Sequence, residues 1–417
     1  MKANTLPALR RTLSAFTALA AVAIAGCGGG SGSNSGNGSG NGSGSGTPPA
    51  INNTQPVAVN AGPNGNGVNE IFTSVMVCNP GSTTSCQTIP DVLVDTGSVG
   101  LRLLRTQLTL SLANNTDGSG NPLGACAQFV DNTFVWGSVS SADIHLAGET
   151  ASSVPIQVIA DSSVPNIPTA CSNGGTNNDT VAKLGANGIL GVGLFAQDCG
   201  PGCATGGNSP PPPVYFSCPS SGCTALLVPL GSELQNPVAL FAQDNNGVLI
   251  SLPAVPATGS PTLAGSLIFG IGTQSNNALN GATVFTTDNV GNFSTTFNGQ
   301  SSSSSFIDSG SNGLFFFDST VSGIPTCAAP NASFYCPANP TNFTATNKGA
   351  NNVSGQVQFS IASADSLFAN GDTAYVNLGG PQAKTFDWGL PFFYGRPVFT
   401  AIEQKATPGG MGPFWAY

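Results

Sequence analysis

The chain has 417 residues, of which 7% are charged, and its 10 Lys and Arg against 19 Asp and Glu give a net charge of -9. Basic residues do not cluster, so the composition argues against a nucleic-acid partner. A single histidine, His145, disfavours histidine-rich zinc sites and histidine-dependent hydrolases. Hydrophobic residues, at 40%, are too frequent for a disordered chain despite 55 glycines. We expect a β-rich, loop-rich globular protein that needs no cofactor and no metal ion.

Residues 1–27 have the features of an export signal. Basic residues near the N-terminus precede a short apolar run at 13–24. This run is shorter than the roughly 20 residues that span a bilayer, which disfavours a transmembrane anchor. Residues 24–27, Ile-Ala-Gly-Cys, resemble the lipobox of bacterial lipoproteins, which are cut before the cysteine. The resemblance implies that Cys27 carries lipid and binds the membrane, and Gly28 in place of aspartate implies the outer membrane of the envelope.

Residues 28–55 are expected to form a flexible tether. The stretch 28–49 is almost entirely Gly, Ser and Asn, which cannot bury a core. A flexible chain of about 22 residues reaches roughly 25 Å. The folded body would therefore lie clear of the lipid head groups.

Ten cysteines remain after Cys27, an even number that predicts five disulfides in an oxidising compartment. The predicted pairs are Cys78 with Cys86, Cys126 with Cys171, and Cys327 with Cys336. Three pairings stay open for the other four, which are Cys199, Cys203, Cys218 and Cys223. Cys199 and Cys203 could also form half of a metal site, but supporting histidines are missing from the sequence.

One segment of the sequence occurs twice. Residues 93–101, Leu-Val-Asp-Thr-Gly-Ser-Val-Gly-Leu, return as residues 306–314, Phe-Ile-Asp-Ser-Gly-Ser-Asn-Gly-Leu. In each copy an apolar strand enters a turn opened by an aspartate, Asp95 or Asp308. The residues that follow are Thr96, Gly97 and Ser98 in the first copy and Ser309, Gly310 and Ser311 in the second. The glycine permits a close approach of the backbone.

This pair of turns resembles the D-[TS]-G-[ST] loops of the pepsin-like aspartic peptidases, whose two lobes each contribute one aspartate. The resemblance implies that Asp95 and Asp308 share a proton, so that one activates water and the other donates to the carbonyl oxygen. It also implies that the hydroxyls of Thr96 and Ser309 tie the loops together. Ser98 and Ser311 would hydrogen-bond the outer oxygens of the aspartates.

Further segments extend the resemblance over most of residues 68–417. They are a strand at 69–77, an apolar-apolar-Gly segment at 187–193 behind the first loop, two strands at 247–252 and 265–270 that would open the second lobe, and a counterpart of the apolar-Gly segment at 388–402. The last one departs from the family pattern, because Leu390 and Pro391 stand where an apolar-Gly-Asp sequence is usual. The run of serines at 301–305 is expected to be an exposed loop, and 232–243 is the best helix candidate.

The hairpin that would cover the cleft is expected at 129–146. It has no tyrosine, which the family places there, but it contains Phe134, Trp136 and Gly137. Trp136 could exclude water from the aspartates as a lid. The alternative is that Phe134 and Trp136 are ordinary packing residues.

The sequence thus predicts an all-β, bilobal pepsin-like architecture with two β-barrel-like lobes, 56–234 and 235–417, and a cleft between them. The expected function is a lipid-anchored envelope peptidase in which the Asp95 and Asp308 dyad hydrolyses an extended peptide. One alternative is a catalytically silent binding protein on the same fold, and another is a β-rich surface module. The chain is also similar to an uncharacterised family of Gram-negative lipoproteins, a resemblance that implies no activity.

Overall fold

A computed structural model describes residues 52–417, and it is built almost entirely of β-strands. The predicted signal peptide, the predicted lipidation site Cys27 and the predicted tether up to residue 51 lie outside the described residues. The first strand begins at Thr54, and the side chain of Gln55 is buried. Regular structure therefore begins one residue before the predicted end of the tether at residue 55.

Eleven strands precede residue 234, and fourteen follow it. The first group is β1 (Thr54–Val59), β2 (Ile71–Cys78), β3 (Cys86–Asp95), β4 (Val99–Leu104), β5 (Leu123–Gln128), β6 (Thr133–Leu146), β7 (Glu149–Ile159), β8 (Thr176–Asn177), β9 (Gly188–Val192), β10 (Tyr215–Ser217) and β11 (Thr224–Ala225). The second group is β12 (Gly247–Ser251), β13 (Leu263–Phe269), β14 (Val284–Thr286), β15 (Phe293–Phe297), β16 (Gln300–Ile307), β17 (Leu314–Phe316), β18 (Thr341–Lys348), β19 (Ser354–Ile361), β20 (Gly379–Pro381), β21 (Phe386–Trp388), β22 (Val398–Ala401), β23 (Ala406–Thr407), β24 (Gly410–Met411) and β25 (Phe414–Ala416).

The helices within residues 52–417 are short. They are the α-helices α1 (Thr169–Ser172), α2 (Val181–Leu184), α3 (Ser319–Ser322) and α4 (Ala364–Phe368), and the 3-10 turns Arg105–Gln107, Gly200–Gly202, Leu230–Ser232, Pro237–Leu240 and Leu390–Phe393. None of these described helices has the length and apolar character needed to cross a membrane.

The strands form two lobes that share one sheet, so the predicted all-β, bilobal architecture is confirmed. The first lobe contributes β1 to β11 to a 16-stranded sheet, and the second lobe has its own sheet in the order β19-β18-β15-β16-β21-β17-β20. Strand β1 pairs antiparallel with β13, from Thr54 opposite Ile268 to Val59 opposite Leu263. The two strands expected to open the second lobe, β12 and β13, therefore continue the sheet of the first lobe.

Alternating side chains place the core on the inner faces of these sheets. In β2 the buried residues Val75 and Val77 alternate with the exposed Ser74 and Met76, as a half-buried strand requires. The second lobe is filled mainly by aromatic rings. Phe316 and Phe386 stack at a centroid distance of 5.2 Å. Two buried sheets of this kind give the rigid support that a precise site needs.

Two local predictions of secondary structure are wrong. The serines at 301–305 belong to β16 and do not form an exposed loop, because Ser302 and Ser305 point inward and are buried. The helix expected at 232–243 does not form. That stretch contains the end of one 3-10 turn and the whole of another, Pro237–Leu240, because Pro237 cannot continue a helix from the preceding residues.

Five disulfides join the ten cysteines of the described chain, as the sequence predicts. The pairs are Cys78 with Cys86, Cys126 with Cys171, Cys199 with Cys203, Cys218 with Cys223, and Cys327 with Cys336. The structure thus resolves the pairing that the sequence left open. Cys199 and Cys203 are bonded to each other, so their sulfurs cannot serve as metal ligands. The same holds for Cys327 and Cys336, which lie close to Asp365.

Candidate active site

The first aspartate loop is fixed by strand β9, which lies between β3 and β4. Strand β3 runs parallel to β9 and ends at Asp95, which lies opposite Gly191. Strand β4 then runs back along the other edge of β9. The Gly97 N–H donates to Asp95 Oδ1 at 2.8 Å, and the Ser98 hydroxyl donates to Asp95 Oδ2 at 2.5 Å. Both carboxyl oxygens of Asp95 are therefore held within their own loop.

The second loop repeats this arrangement around β21. Strand β16 runs parallel to β21, and β17 returns along its other edge. The Gly310 N–H donates to Asp308 Oδ1 at 2.8 Å, and the Ser311 hydroxyl donates to Asp308 Oδ2 at 2.9 Å. Ser98 and Ser311 thus both contact the aspartate of their own loop, which is the position that the sequence predicts for them.

Close packing behind each loop requires a glycine. A Cβ added at Gly191 would lie 2.5 Å from the Val99 nitrogen, and one at Gly389 would lie 2.2 Å from the Gly313 oxygen. Such contacts are too short for any larger residue. The two apolar-Gly segments at 187–193 and 388–402 therefore lie directly against the aspartate loops.

Reciprocal hydrogen bonds join the two loops. The Thr96 N–H donates to Ser309 Oγ at 3.1 Å, and the Ser309 N–H donates to Thr96 Oγ1 at 2.9 Å. Each hydroxyl also donates to a carbonyl of the opposite strand, Thr96 to Ile307 at 3.3 Å and Ser309 to Val94 at 2.7 Å. Because all four groups are buried, these bonds hold the two lobes in register at this point.

The two aspartates meet at this junction. Asp95 and Asp308 are both fully buried, and a side-chain hydrogen bond connects their carboxyl groups. A Cβ added at Gly310 would lie 2.8 Å from Asp95 Oδ1 and 3.2 Å from Asp308 Oδ1. Gly310 is therefore required for the carboxyls to approach each other, since any side chain there would push into both.

Burial is the main cause that raises the pKa of Asp308 well above its ordinary value of 3.8. The charges of Asp95 and Asp387 and the hydrogen bond with Asp95 raise it further, while the Gly310 N–H lowers it. Two carboxylates held together cannot both ionise easily. Asp308 is therefore the member of the pair that the surroundings favour in its protonated form.

The sequence analysis missed a third buried carboxyl, Asp387 in β21. Its Oδ2 lies 2.6 Å from the Ser311 hydroxyl oxygen, within hydrogen-bond distance. Within the described part of the chain its Oδ1 has no hydrogen-bond partner. Burial raises the pKa of Asp387 well above its ordinary value, the Ser311 hydrogen bond lowers it, and the charge of Asp95 raises it.

Ser311 connects two carboxyl groups with a single hydroxyl. A hydroxyl has one hydrogen, so it cannot donate to Asp308 and Asp387 at the same time. For both contacts to be hydrogen bonds, one of the two carboxyls has to be protonated and donate to Ser311. The geometry thus links the proton on Asp308 to the proton on Asp387.

The hairpin residues expected over the cleft pack inside the first lobe. Phe134 and Trp136 are each only 3% exposed. The indole N–H of Trp136 donates to the Val164 carbonyl at 2.7 Å, and its ring meets Phe216 edge to face at 5.3 Å. A Cβ at Gly137 would lie 1.9 Å from the Val158 oxygen, so Gly137 serves the contact between β6 and β7. Both aromatic residues are packing residues, so of the two alternatives that the sequence left open the structure shows ordinary packing and not a Trp136 lid.

The departure at Leu390 is accommodated within the second loop. The Leu390 N–H donates to the Ser311 carbonyl at 2.7 Å, and its side chain is fully buried. Leu390 and Pro391 belong to the 3-10 turn Leu390–Phe393, which leads toward β22. This segment therefore supports the second loop through its backbone.

The fold and the site define a class: a two-lobed, all-β protein with a buried aspartate pair where its lobes meet. The chain belongs to the family described as Protein of unknown function (DUF3443), whose model matches residues 49–417. No curated protein matches it in sequence. Among solved structures, the crystal structure of aspartic proteinase from Irpex lacteus is similar, with a TM-score of 0.48 and 14% identity over 87% of this chain and 96% of that chain.

Proposed function

We propose that the protein is an aspartic-type endopeptidase in which Asp95 and Asp308 activate water. The observation that carries this proposal is the hydrogen bond between two fully buried carboxyl groups. Asp308 holds the proton, because burial and its acidic neighbours raise its pKa. Asp95 is then the member that accepts a proton.

The chemistry follows from this division of roles. Asp95 takes a proton from water as the water oxygen attacks the carbonyl carbon of a peptide bond. Asp308 gives its proton to the carbonyl oxygen, so no full charge develops on the tetrahedral intermediate. On collapse Asp95 gives its proton to the leaving nitrogen and Asp308 takes one back from a hydroxyl of the gem-diol, so the C–N bond breaks and both carboxyls return to their starting states. The hydrogen bonds from Gly97 and Ser98 keep Asp95 in position throughout.

The substrate we propose is an extended peptide bound between the lobes. We also propose that the protein is exported and anchored to the cell envelope, in the outer membrane, by a lipid on Cys27. Five disulfides support export, since such bonds persist in oxidising compartments. The apolar run and lipobox-like residues of the sequence support the anchor.

The test is cleavage of an unbiased peptide mixture by the purified, disulfide-bonded protein from acidic to neutral pH. Asp95→Asn and Asp308→Asn should each abolish cleavage, because each removes an essential carboxyl while preserving its shape. Thermal unfolding of each variant checks that it is folded. Cleavage that persists in either folded variant would refute the dyad.

A binding protein without turnover is the second candidate. It is favoured by the packing of Phe134 and Trp136, which leaves neither side chain available to cover the aspartates. If the folded wild-type protein cleaves nothing in the mixture but retains peptides on a column, this candidate replaces the peptidase.

A further inference from the structure

A cavity of about 640 Å³ lies in the second lobe, on the strands β18 and β19 and the turn Leu390–Phe393. Its aromatic lining includes Phe343 and Phe359, which are partly exposed, and Trp388, which is fully buried. Asn342 and Gln358 add neutral polar groups from the two strands. The volume lies in the range of small-ligand sites, and the lining combines aromatic rings with neutral polar groups.

Arg396 carries the only charge among the described residues that line the cavity. Its guanidinium carbon lies 4.0 Å from the centre of the Phe392 ring and 5.8 Å from that of Tyr417. One guanidinium nitrogen, Nη1, donates to the Phe392 carbonyl. The Phe392 ring and carbonyl thus fix the orientation of the guanidinium group, because Arg side chains stack well on aromatic faces.

Arg396 lacks the partner that a largely buried arginine normally has. Within residues 52–417 the ion pairs are Arg102 with Asp198 and Lys183 with Asp179, so no carboxylate pairs with Arg396. Burial lowers the pKa of Arg396 from its ordinary value. Withdrawing a guanidinium from water costs free energy that an opposite charge would offset.

The chemistry of the cavity selects the kind of anion. A planar guanidinium with free N–H groups matches the two oxygens of a carboxylate. A dianion such as phosphate would leave one negative charge without a partner, because the lining offers a single cation. The partly exposed rings of Phe343 and Phe359 suit an apolar group attached to the carboxylate.

We propose that this cavity is a binding site for a carboxylate on an apolar body, with Arg396 as its anchor. The carboxylate would pair with the guanidinium, and the apolar part would lie against the aromatic walls. The site does not include the aspartate pair, since none of its lining residues is Asp95, Asp308 or Asp387, although Trp388 also supports the second loop by accepting from the Asp308 N–H. A negative result in the binding test would therefore not count against the proposed peptidase activity, and a negative cleavage test would not count against this binding site.

Binding of 3-phenylpropionate to the purified protein, measured by calorimetry, tests this proposal. The neutral amide of the same compound should bind roughly ten- to hundred-fold more weakly, because a charged hydrogen bond is lost. Arg396→Gln should weaken the acid by a similar factor, and Arg396→Lys should restore part of the loss. The control is Arg105→Gln, which removes an exposed arginine that also donates to a backbone carbonyl, and it should leave binding unchanged.

A peptide ending in phenylalanine with a free carboxylate, compared with its amidated form, identifies the source of the ligand. If the free-acid peptide displaces 3-phenylpropionate, the ligand is a peptide C-terminus. If the peptide does not displace it, the ligand is a small organic acid. Equal affinity for acid and amide would overturn the proposal even if Arg396→Gln failed to fold. Absence of saturable binding by any carboxylate at millimolar concentration would overturn it as well.

Discussion

The two aspartate loops are nearly identical in their hydrogen bonds, but the strand beside the second loop carries a buried carboxyl. Ile189 lies opposite Leu93 in the first lobe, and Asp387 lies opposite Phe306 in the second. These positions correspond, since each lies two residues before the glycine that packs against its loop. The charge of Asp387 adds to burial and to the charge of Asp95 in raising the pKa of Asp308. The strand beside the second loop thus adds an acidic neighbour that the first lobe has no counterpart for at this position.

The largest expected effect comes from filling the space between the carboxyls. Gly310→Ala would place a Cβ 2.8 Å from Asp95 Oδ1 and push the two groups apart. Displacement on this scale should lower kcat on the order of 10²-fold in the peptide-cleavage assay. Gly313→Ala is the control, because its nearest neighbour is the ring of Phe315 at 3.2 Å, away from the carboxyls. Equal activity of the two variants would mean that the carboxyl contact is not needed.

The hydrogen bonds that join the loops should make similar contributions to the free energy of unfolding from Thr96 and from Ser309. Ser309→Ala leaves the Thr96 N–H and the Val94 carbonyl buried without this partner, so it should lower the free energy of unfolding by about 2–3 kcal/mol. Thr96→Val should cost about as much, and Thr96→Ser should restore most of it. Urea denaturation of the disulfide-bonded protein measures these values. A large loss on one side only would contradict the symmetry of this junction.

Stability should depend on pH through the second lobe. The folded-state pKa of Asp308 and Asp387 lies above the ordinary value of 3.8, so both keep protons that the unfolded chain releases. Their contribution is fully present below pH 3.8 and is lost as pH rises toward the raised values. Asp387→Asn should flatten this decline by up to about 1.4 kcal/mol per pH unit. Urea denaturation at a series of pH values measures this slope, and an unchanged slope in the folded Asp387→Asn variant would contradict the prediction.

The smallest effect is expected when Asp387 of the second lobe is replaced by isoleucine, the residue at the corresponding position 189 of the first lobe. Asp387→Ile removes a charge that raises the pKa of Asp308, and it leaves the Ser311 hydrogen to Asp308 alone. Asp308 should then lose its proton earlier, which moves the alkaline limb of the kcat/KM profile down by about one pH unit. Asp387→Asn should produce a shift in the same direction. An unmoved limb in both variants would show that Asp387 does not influence the dyad.

The aspartate loops were predictable because the repeat preserves the residues that make their hydrogen bonds. Thr96 and Ser309 form the expected cross-links, and Ser98 and Ser311 contact the expected oxygens. Each of these interactions is local or is related to another by the repeat. A duplicated segment therefore carries much of the geometry of its site in its own spacing.

Asp387 was missed because it lies in a three-residue strand whose role depends on pairing. The signal was present, since aligning residues 189–191 with 387–389 places an aspartate where the first copy has isoleucine. Trp136 was ambiguous for a related reason. Its position in a hairpin does not show which face is buried, and the contacts with Val164 and Phe216 come from distant parts of the chain. Such tertiary contacts leave no periodic pattern in the sequence.

The disulfides have a consequence for how the chain acquires its fold. Along the sequence each cysteine of the folded part is bonded to the next one, without any crossing or nesting of pairs. A chain that crosses a membrane N-terminus first would expose each cysteine and then its correct partner before any other free thiol followed. Oxidation in order of emergence would give the native set directly, so thiol exchange to correct mispaired bonds would not be required.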